Sequence, residues 1–262
     1  MRIRDDALKC VAFIGMEIER DSVKKNVWCG TGFLVSRTSD RFTTANFVYL
    51  VTARHVVAQI GERDFFVRIN TKDGKSSVFH AGSNIKWFFH PKEDESSDVA
   101  VYPLILEKEA FETLDYAAIS SKNFVTDANI QSDGIGAGDD VFITGLFAHF
   151  SGNEKNFPIV RMGNIAMIPS EPVPTSSFGN MEIYLIESHS IGGLSGSPVF
   201  VLKQIEIGRW RIYLLGLIHG HWQIDSRKIV DASIGDSTAM EGSVLGNWYL
   251  FPSDRTAGLS SP

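Results

Sequence analysis

The strongest constraint on the fold of this chain is its punctuation: short apolar segments, most of them alternating with polar residues, broken at close intervals by turn-forming residues. The segments fall at 9–18, 30–36, 47–52, 65–70, 84–89 and 99–104, then at 140–146, 159–168, 182–187, 198–203, 211–218 and 243–250. Between them stand turn clusters such as Lys72-Asp73-Gly74 and the stretches 132–139 and 169–177. Side chains of a strand alternate between two faces, so this alternation reads as half-buried strands. Many short strands without a recurring helical pattern predict an all-β protein, sandwich or barrel. The strand pattern is weakest from 107 to 138, where one helical turn is expected over 106–112. A boundary near 110–135 divides the chain into 1–120 and 121–262. Each half then holds about six strands, the number that a pair of six-stranded antiparallel barrels requires.

Composition narrows the function classes. Of 262 residues, 44% are hydrophobic and 21% charged, the profile of a globular protein with a substantial core. A net charge of -6 with no Lys/Arg-rich run argues against nucleic acid or an anionic membrane as the main partner. No apolar run approaches the ~18 residues of a membrane span. The opening Met1-Arg2-Ile3-Arg4-Asp5-Asp6 lacks the pattern of a secretory leader, so a cytoplasmic location is expected. Cys10 and Cys29, the only cysteines, sit in apolar surroundings outside any CxxC pair. They read as two buried thiols, with a bridge between adjacent strands as the alternative.

Three segments carry chemistry. Tyr49-Leu50-Val51-Thr52-Ala53-Arg54-His55 is an apolar strand ending in a histidine; Ser97-Asp98-Val99-Ala100-Val101 puts an acid just before a strand. Gly193-Leu194-Ser195-Gly196-Ser197-Pro198 sets a serine among glycines at the start of another. A serine hydroxyl is a weak nucleophile, so an imidazole must take its proton during attack. A buried carboxylate fixes the tautomer of that imidazole. The oxyanion needs backbone N–H donors aimed at one point, here the amides of Gly193 and Ser195. Each residue also has a plain structural reading. A serine between glycines is often only a turn, the histidine a satisfied core residue, the aspartate a helix cap. Asp94 and Glu95 could also supply the acid, but they lie in a polar run, whereas Val-Ala-Val after Asp98 favours its burial.

In order, Gly30-Thr31-Gly32-Phe33-Leu34-Val35, Leu50-Val51-Thr52-Ala53-Arg54-His55-Val56-Val57, Ser97-Asp98-Val99-Ala100-Val101 and Gly193-Leu194-Ser195-Gly196-Ser197-Pro198-Val199 resemble the successive signatures of the trypsin-like serine peptidases, closest in look to short bacterial members. The order His, Asp, Ser is that family's order. The resemblance covers about residues 8 to 220, with lesser matches at 138–145 and at Leu215-Gly216-Leu217-Ile218-His219. It implies two six-stranded antiparallel β-barrels of the chymotrypsin/trypsin type with the active site in the cleft between them. The barrel of 1–120 would carry His55 and Asp98; that of 121–262 would carry Ser195 and the specificity pocket. The implied activity is hydrolysis of peptide bonds in a protein or peptide substrate through an acyl-enzyme, without a cofactor or metal.

The departures from that pattern are informative. Where zymogen-type members have an aspartate before the nucleophile, this chain has Leu194, so activation by pairing with a new N-terminus is not expected. Val56 stands where the partner of a common disulfide would be, so activity should survive reduction. His189 occupies the position resembling the pocket floor, which removes the reason for a Lys or Arg preference. His219 and His221, two apart on a strand, can share a face. With His189 they are expected to bind substrate and to favour an acidic or amide side chain. A zinc reading of His219 and His221 supplies only half a site. Two other functions compete: a catalytically silent binding or scaffolding module, and a regulatory protease with one protein target. The stretches 117–121 and 169–177 look exposed enough for self-cleavage.

Overall fold

The computed structural model describes residues 3–20, 23–39, 46–81, 86–90, 97–175, 179–188, 193–222 and 245–249. In the first half a helical turn, α1 (Asp6–Lys9), leads into β1 (Val11–Arg20), β2 (Val23–Thr38) and β3 (Asn46–Ala53). Then come α2 (Arg54–Ile60), β4 (Phe65–Asn70), β5 (Ser76–His80), β6 (Phe88–Phe89), β7 (Val99–Pro103), α3 (Lys108–Thr113) and β8 (Ile119–Ser120). The second half holds α4 (Asp127–Ser132), β9 (Asp140–Gly145), β10 (Ile159–Met167), β11 (Val173–Thr175), β12 (Gly179–Met181) and β13 (Tyr184–Ser188). It ends with β14 (Pro198–Glu206), β15 (Arg209–Trp222) and β16 (Leu245–Tyr249).

Strands of the first half lie in the order β5-β4-β1-β2-β3-β7-β6, with β8 joining β2 in parallel as the eighth strand. Those of the second close into a barrel, β10-β13-β16-β15-β14-β9, and β11 and β12 form a separate hairpin. The protein is all-β, and the six strands expected for the second barrel are present. The first half differs from the expected six: among the described residues it has eight strands, and its end strands β5 and β6 are not paired to each other. The residues flanking β6, 82–85 and 91–96, lie outside the described set.

Strand alternation distributes side chains between separate cores. From β1, Ala12 and Ile14 enter the core of the first half, while Val11 and Phe13 enter a second cluster that also takes Phe142, Phe200 and Leu214 from the other half. In β9, Val141 and Ile143 fill the inside of the barrel and Phe142 faces the shared cluster. Strands at the junction are therefore buried on both faces, and the apolar surface removed from water lies across the two halves as well as within them. Polar ties reinforce the junction: Thr144 Oγ1 donates to the carbonyl of Ala7 at 2.9 Å. Arg68, only 7% exposed, donates to Asn156 Oδ1 (2.6 Å) and to the carbonyls of Gly152 (3.0 Å) and Ser151 (2.8 Å), with its guanidinium 4.3 Å from the centre of the Trp28 ring.

Several elements depart from the sequence pattern for physical reasons. Helix α2 has seven residues and begins Arg-His-Val-Val, so β-branched residues continue the look of the preceding strand and no helical period develops. Strand β5 is polar and partly exposed, hence silent as an apolar segment. The stretch 117–121 is half-buried, with Ile119 and Ser120 paired to Val35 and Ser36, which corrects its reading as an exposed cleavage segment. The helical turn expected over 106–112 forms as α3.

Candidate active site

Three strands deliver the site. β3 is buried at its end, from Leu50 to Ala53, and the chain turns there into α2 with Ala53 as its extended N-cap residue. His55 thus stands in the first helical turn, anchored by the buried Val56 and Val57 that follow. β7 pairs with β3 so that Val99 faces Ala53 and Ala100 faces Thr52. That register brings Asp98 level with the start of α2, where the N–H of Arg54 donates to its carbonyl at 3.1 Å.

Asp98 is 3% exposed and carries its charge on three N–H donors. Its Oδ1 accepts the backbone N–H of His55 at 2.8 Å, one of the donors that a helix start leaves unsatisfied. Its Oδ2 accepts His55 Nδ1 at 2.6 Å and also His219 Nδ1. A carboxylate has only acceptors, so both Nδ1 atoms must carry the proton, which leaves Nε2 of His55 as its basic nitrogen. Burial alone would push the Asp98 carboxyl up, but the N–H donors of His219 and His55 outweigh it and hold the group below its ordinary value. The two imidazoles meet edge to face with ring centres 5.7 Å apart.

Ser195 sits in a turn built around two glycines with positive φ, Gly193 at 100° and Gly196 at 80°. A Cβ at Gly196 would lie 2.2 Å from the Thr31 carbonyl oxygen, so this position has no room for a side chain. Thr31 holds the turn from the first half. Its N–H donates to the Ser195 carbonyl at 3.0 Å and its hydroxyl to the Gly193 carbonyl at 2.9 Å. The same hydroxyl accepts the N–H of Leu146 at 2.9 Å, and the Thr31 carbonyl accepts Thr52 Oγ1 at 2.7 Å. From β15, Ile218 accepts the N–H of Gly196 and donates to Ser197, both at 2.8 Å. Leu194 is 3% exposed and packs inside the barrel, so an apolar side chain anchors the turn.

Among the described residues no hydrogen bond joins Ser195 to His55, and no acceptor takes the N–H of Gly193 or Ser195. His189, Asp94 and Glu95 lie outside the described residues, and His221 is described only as part of β15. His219 lies buried against Asp98, a contact that sequence reasoning missed; the His-x-His spacing pointed to a shared strand face and gave no sign of the acid waiting on the other half. His55, Asp98 and His219 offer ligand atoms within 4.8 Å of one another. Ligands about 2.1 Å from a tetrahedral zinc lie about 3.4 Å apart. The 2.6 Å from His55 Nδ1 to Asp98 Oδ2 is the spacing of a shared proton instead. Cys10 and Cys29 are both free thiols. Burial pushes each thiol up, that of Cys10 the further.

No family model and no curated protein matches the sequence. Solved structures do match. The HtrA-type protease AlgW with decapeptide aligns with 94% of this chain at 15% identity and a TM-score of 0.53. This chain spans 62% of the length of that protein. The MamO protease domain from Magnetospirillum magneticum aligns with 94% of the chain and 93% of its own length at 14% identity and a TM-score of 0.52. At such identities the likeness is one of backbone architecture, and the chain has the fold of the trypsin-like serine protease domains.

Proposed function

We propose that the chain is a serine endopeptidase in which Ser195 is the nucleophile, His55 the general base and Asp98 the acid that orients the base. One observation carries this reading: the His55 imidazole donates a hydrogen bond from Nδ1–H to a buried carboxylate 2.6 Å away, so that Nε2 is the nitrogen left to accept a proton. Ser195 Oγ attacks the peptide carbonyl carbon as Nε2 of His55 takes the hydroxyl proton. The amides of Gly193 and Ser195 receive the oxyanion. His55 then passes the proton to the leaving amine, and water, activated by the same nitrogen, cleaves the acyl ester. The fold shared with HtrA-type proteases supports this class of reaction. His189 and His221 are the proposed contacts to the substrate side chain; His219, expected with them, is 7% exposed and turned to Asp98 instead.

A second reading has its own observation. The missing hydrogen bond between Ser195 and His55 favours a silent module that binds peptides in the cleft, although such bonds are often long before substrate arrives. A fluorophosphonate probe decides. Labelling of Ser195, abolished in His55→Ala, is the expected result; a folded protein that stays unlabelled is a binding module. Labelling without turnover of generic peptides would identify a protease with one protein target.

A further inference from the structure

Two histidines share one carboxylate oxygen in this site. Asp98 Oδ2 accepts Nδ1 of both His55 and His219, and these imidazoles are its titratable partners among the described residues. They arrive from opposite halves of the molecule, His55 on α2 and His219 on β15. His55 alone would grip Asp98 twice, through its backbone N–H on Oδ1 and its ring on Oδ2. That grip moves with α2. His219 adds an anchor fixed to the second half, and its neighbour Ile218 holds the serine turn through Gly196 and Ser197. Consecutive residues of β15 therefore hold the acid and the nucleophile turn.

We propose that His219 is a positioning residue: its Nδ1–H pins Asp98 Oδ2 against the His55 imidazole and ties the acid–base pair to the strand that carries the Ser195 turn. A purely structural histidine, 7% exposed, would satisfy its own ring with any acceptor and matter only to stability. Here the acceptor is the carboxylate that His55 uses, and a carboxylate free to rotate would leave the imidazole in mixed tautomers. Loss of a hydrogen bond to a charged group at this point corresponds to roughly 10-fold to 100-fold in rate.

The test pairs spectra with kinetics. Low-field proton NMR of the wild type is expected to show two imidazole Nδ1–H signals, both absent in Asp98→Asn. His219→Ala should keep one of them, displaced and broadened. In a peptidase assay His219→Ala should lower kcat by the factor given above at unchanged KM. His219→Asn, which keeps an N–H donor and is the safer variant for folding, should recover most of it. A wild-type spectrum with a single low-field proton, or a folded His219→Ala with wild-type kcat, overturns the proposal. The proposal rests on His55 as the base, and the spectra require no turnover. A protein that neither labels nor cleaves but shows both protons would sink the peptidase reading and leave the shared carboxylate standing.

Discussion

Thr31 gives its hydroxyl hydrogen to the carbonyl of Gly193, 162 residues away in sequence, at 2.9 Å. The bond fixes the Gly193–Leu194 peptide plane, just ahead of Ser195, from a strand of the other half. Thr31→Val keeps the shape but removes the donor and the acceptor for Leu146. Leaving a buried carbonyl and N–H unpaired costs about 1–3 kcal/mol each. The variant should melt earlier and label more slowly with the fluorophosphonate; an unchanged labelling rate would show that the turn stands without Thr31.

Leu194 anchors the same turn from inside the barrel. Truncation in Leu194→Ala leaves a cavity and is expected to destabilise the fold by about 2–5 kcal/mol. Denaturant unfolding measures that loss directly. Activity at a temperature where the variant is still folded should fall as well, because the cavity lies directly beneath the Ser195 turn.

Asp98 links stability to pH. Its folded carboxyl is held below the unfolded value, so the stability it contributes is complete above about pH 4, the unfolded carboxyl's range. That contribution is lost as pH falls through the folded value. The difference in Tm between wild type and Asp98→Asn should therefore hold steady above about pH 5 and narrow as pH falls from about 5 towards 2. A gap that stays constant across that range would show that the charge of Asp98 does not stabilise the fold.

Arg68 is a cross-brace between the halves, with three hydrogen bonds to residues 151–156 and a ring stack on Trp28. Arg68→Lys retains the charge but not the planar fork, so it should cost nearly as much as Arg68→Ala, roughly 3 kcal/mol. Equal stability of Arg68→Lys and wild type by thermal melting would reduce the brace to a matter of charge.

Both cysteines are reduced, and Cys10 is fully buried. Activity should be the same with and without dithiothreitol. Alkylation of the native protein should reach Cys29 before Cys10, which mass spectrometry of the tryptic peptides would show.

Much of the architecture was legible because alternation is a local signal. Segment 65–70 is β4 to the residue, and 99–104, 140–146 and 159–168 miss their strands by one residue at one end. Asp98 stood out for the same reason: the Val-Ala-Val after it is buried strand in part, and strand pairing carries the acid to His55. What escaped the sequence depends on tertiary placement. His219 looks like half of a His-x-His pair until β15 is laid against the first half, where its ring meets Asp98. Thr31 is an ordinary threonine in a glycine-flanked strand, and nothing local says that four of its bonds reach other elements. Eight strands in the first half rather than six reflect β5 and β8, one polar and one only two residues long.

The serine turn belongs to one half of the chain but is stitched to the other by Thr31, while Asp98 belongs to the first half and is held by a histidine of the second. Each half thus finishes the other's reactive group. The halves form an inseparable inheritance: a chimera that exchanges a single half with a distant relative would carry Ser195, His55 and Asp98 or their counterparts and still lose either the threonine that holds the serine turn or the histidine that holds the acid.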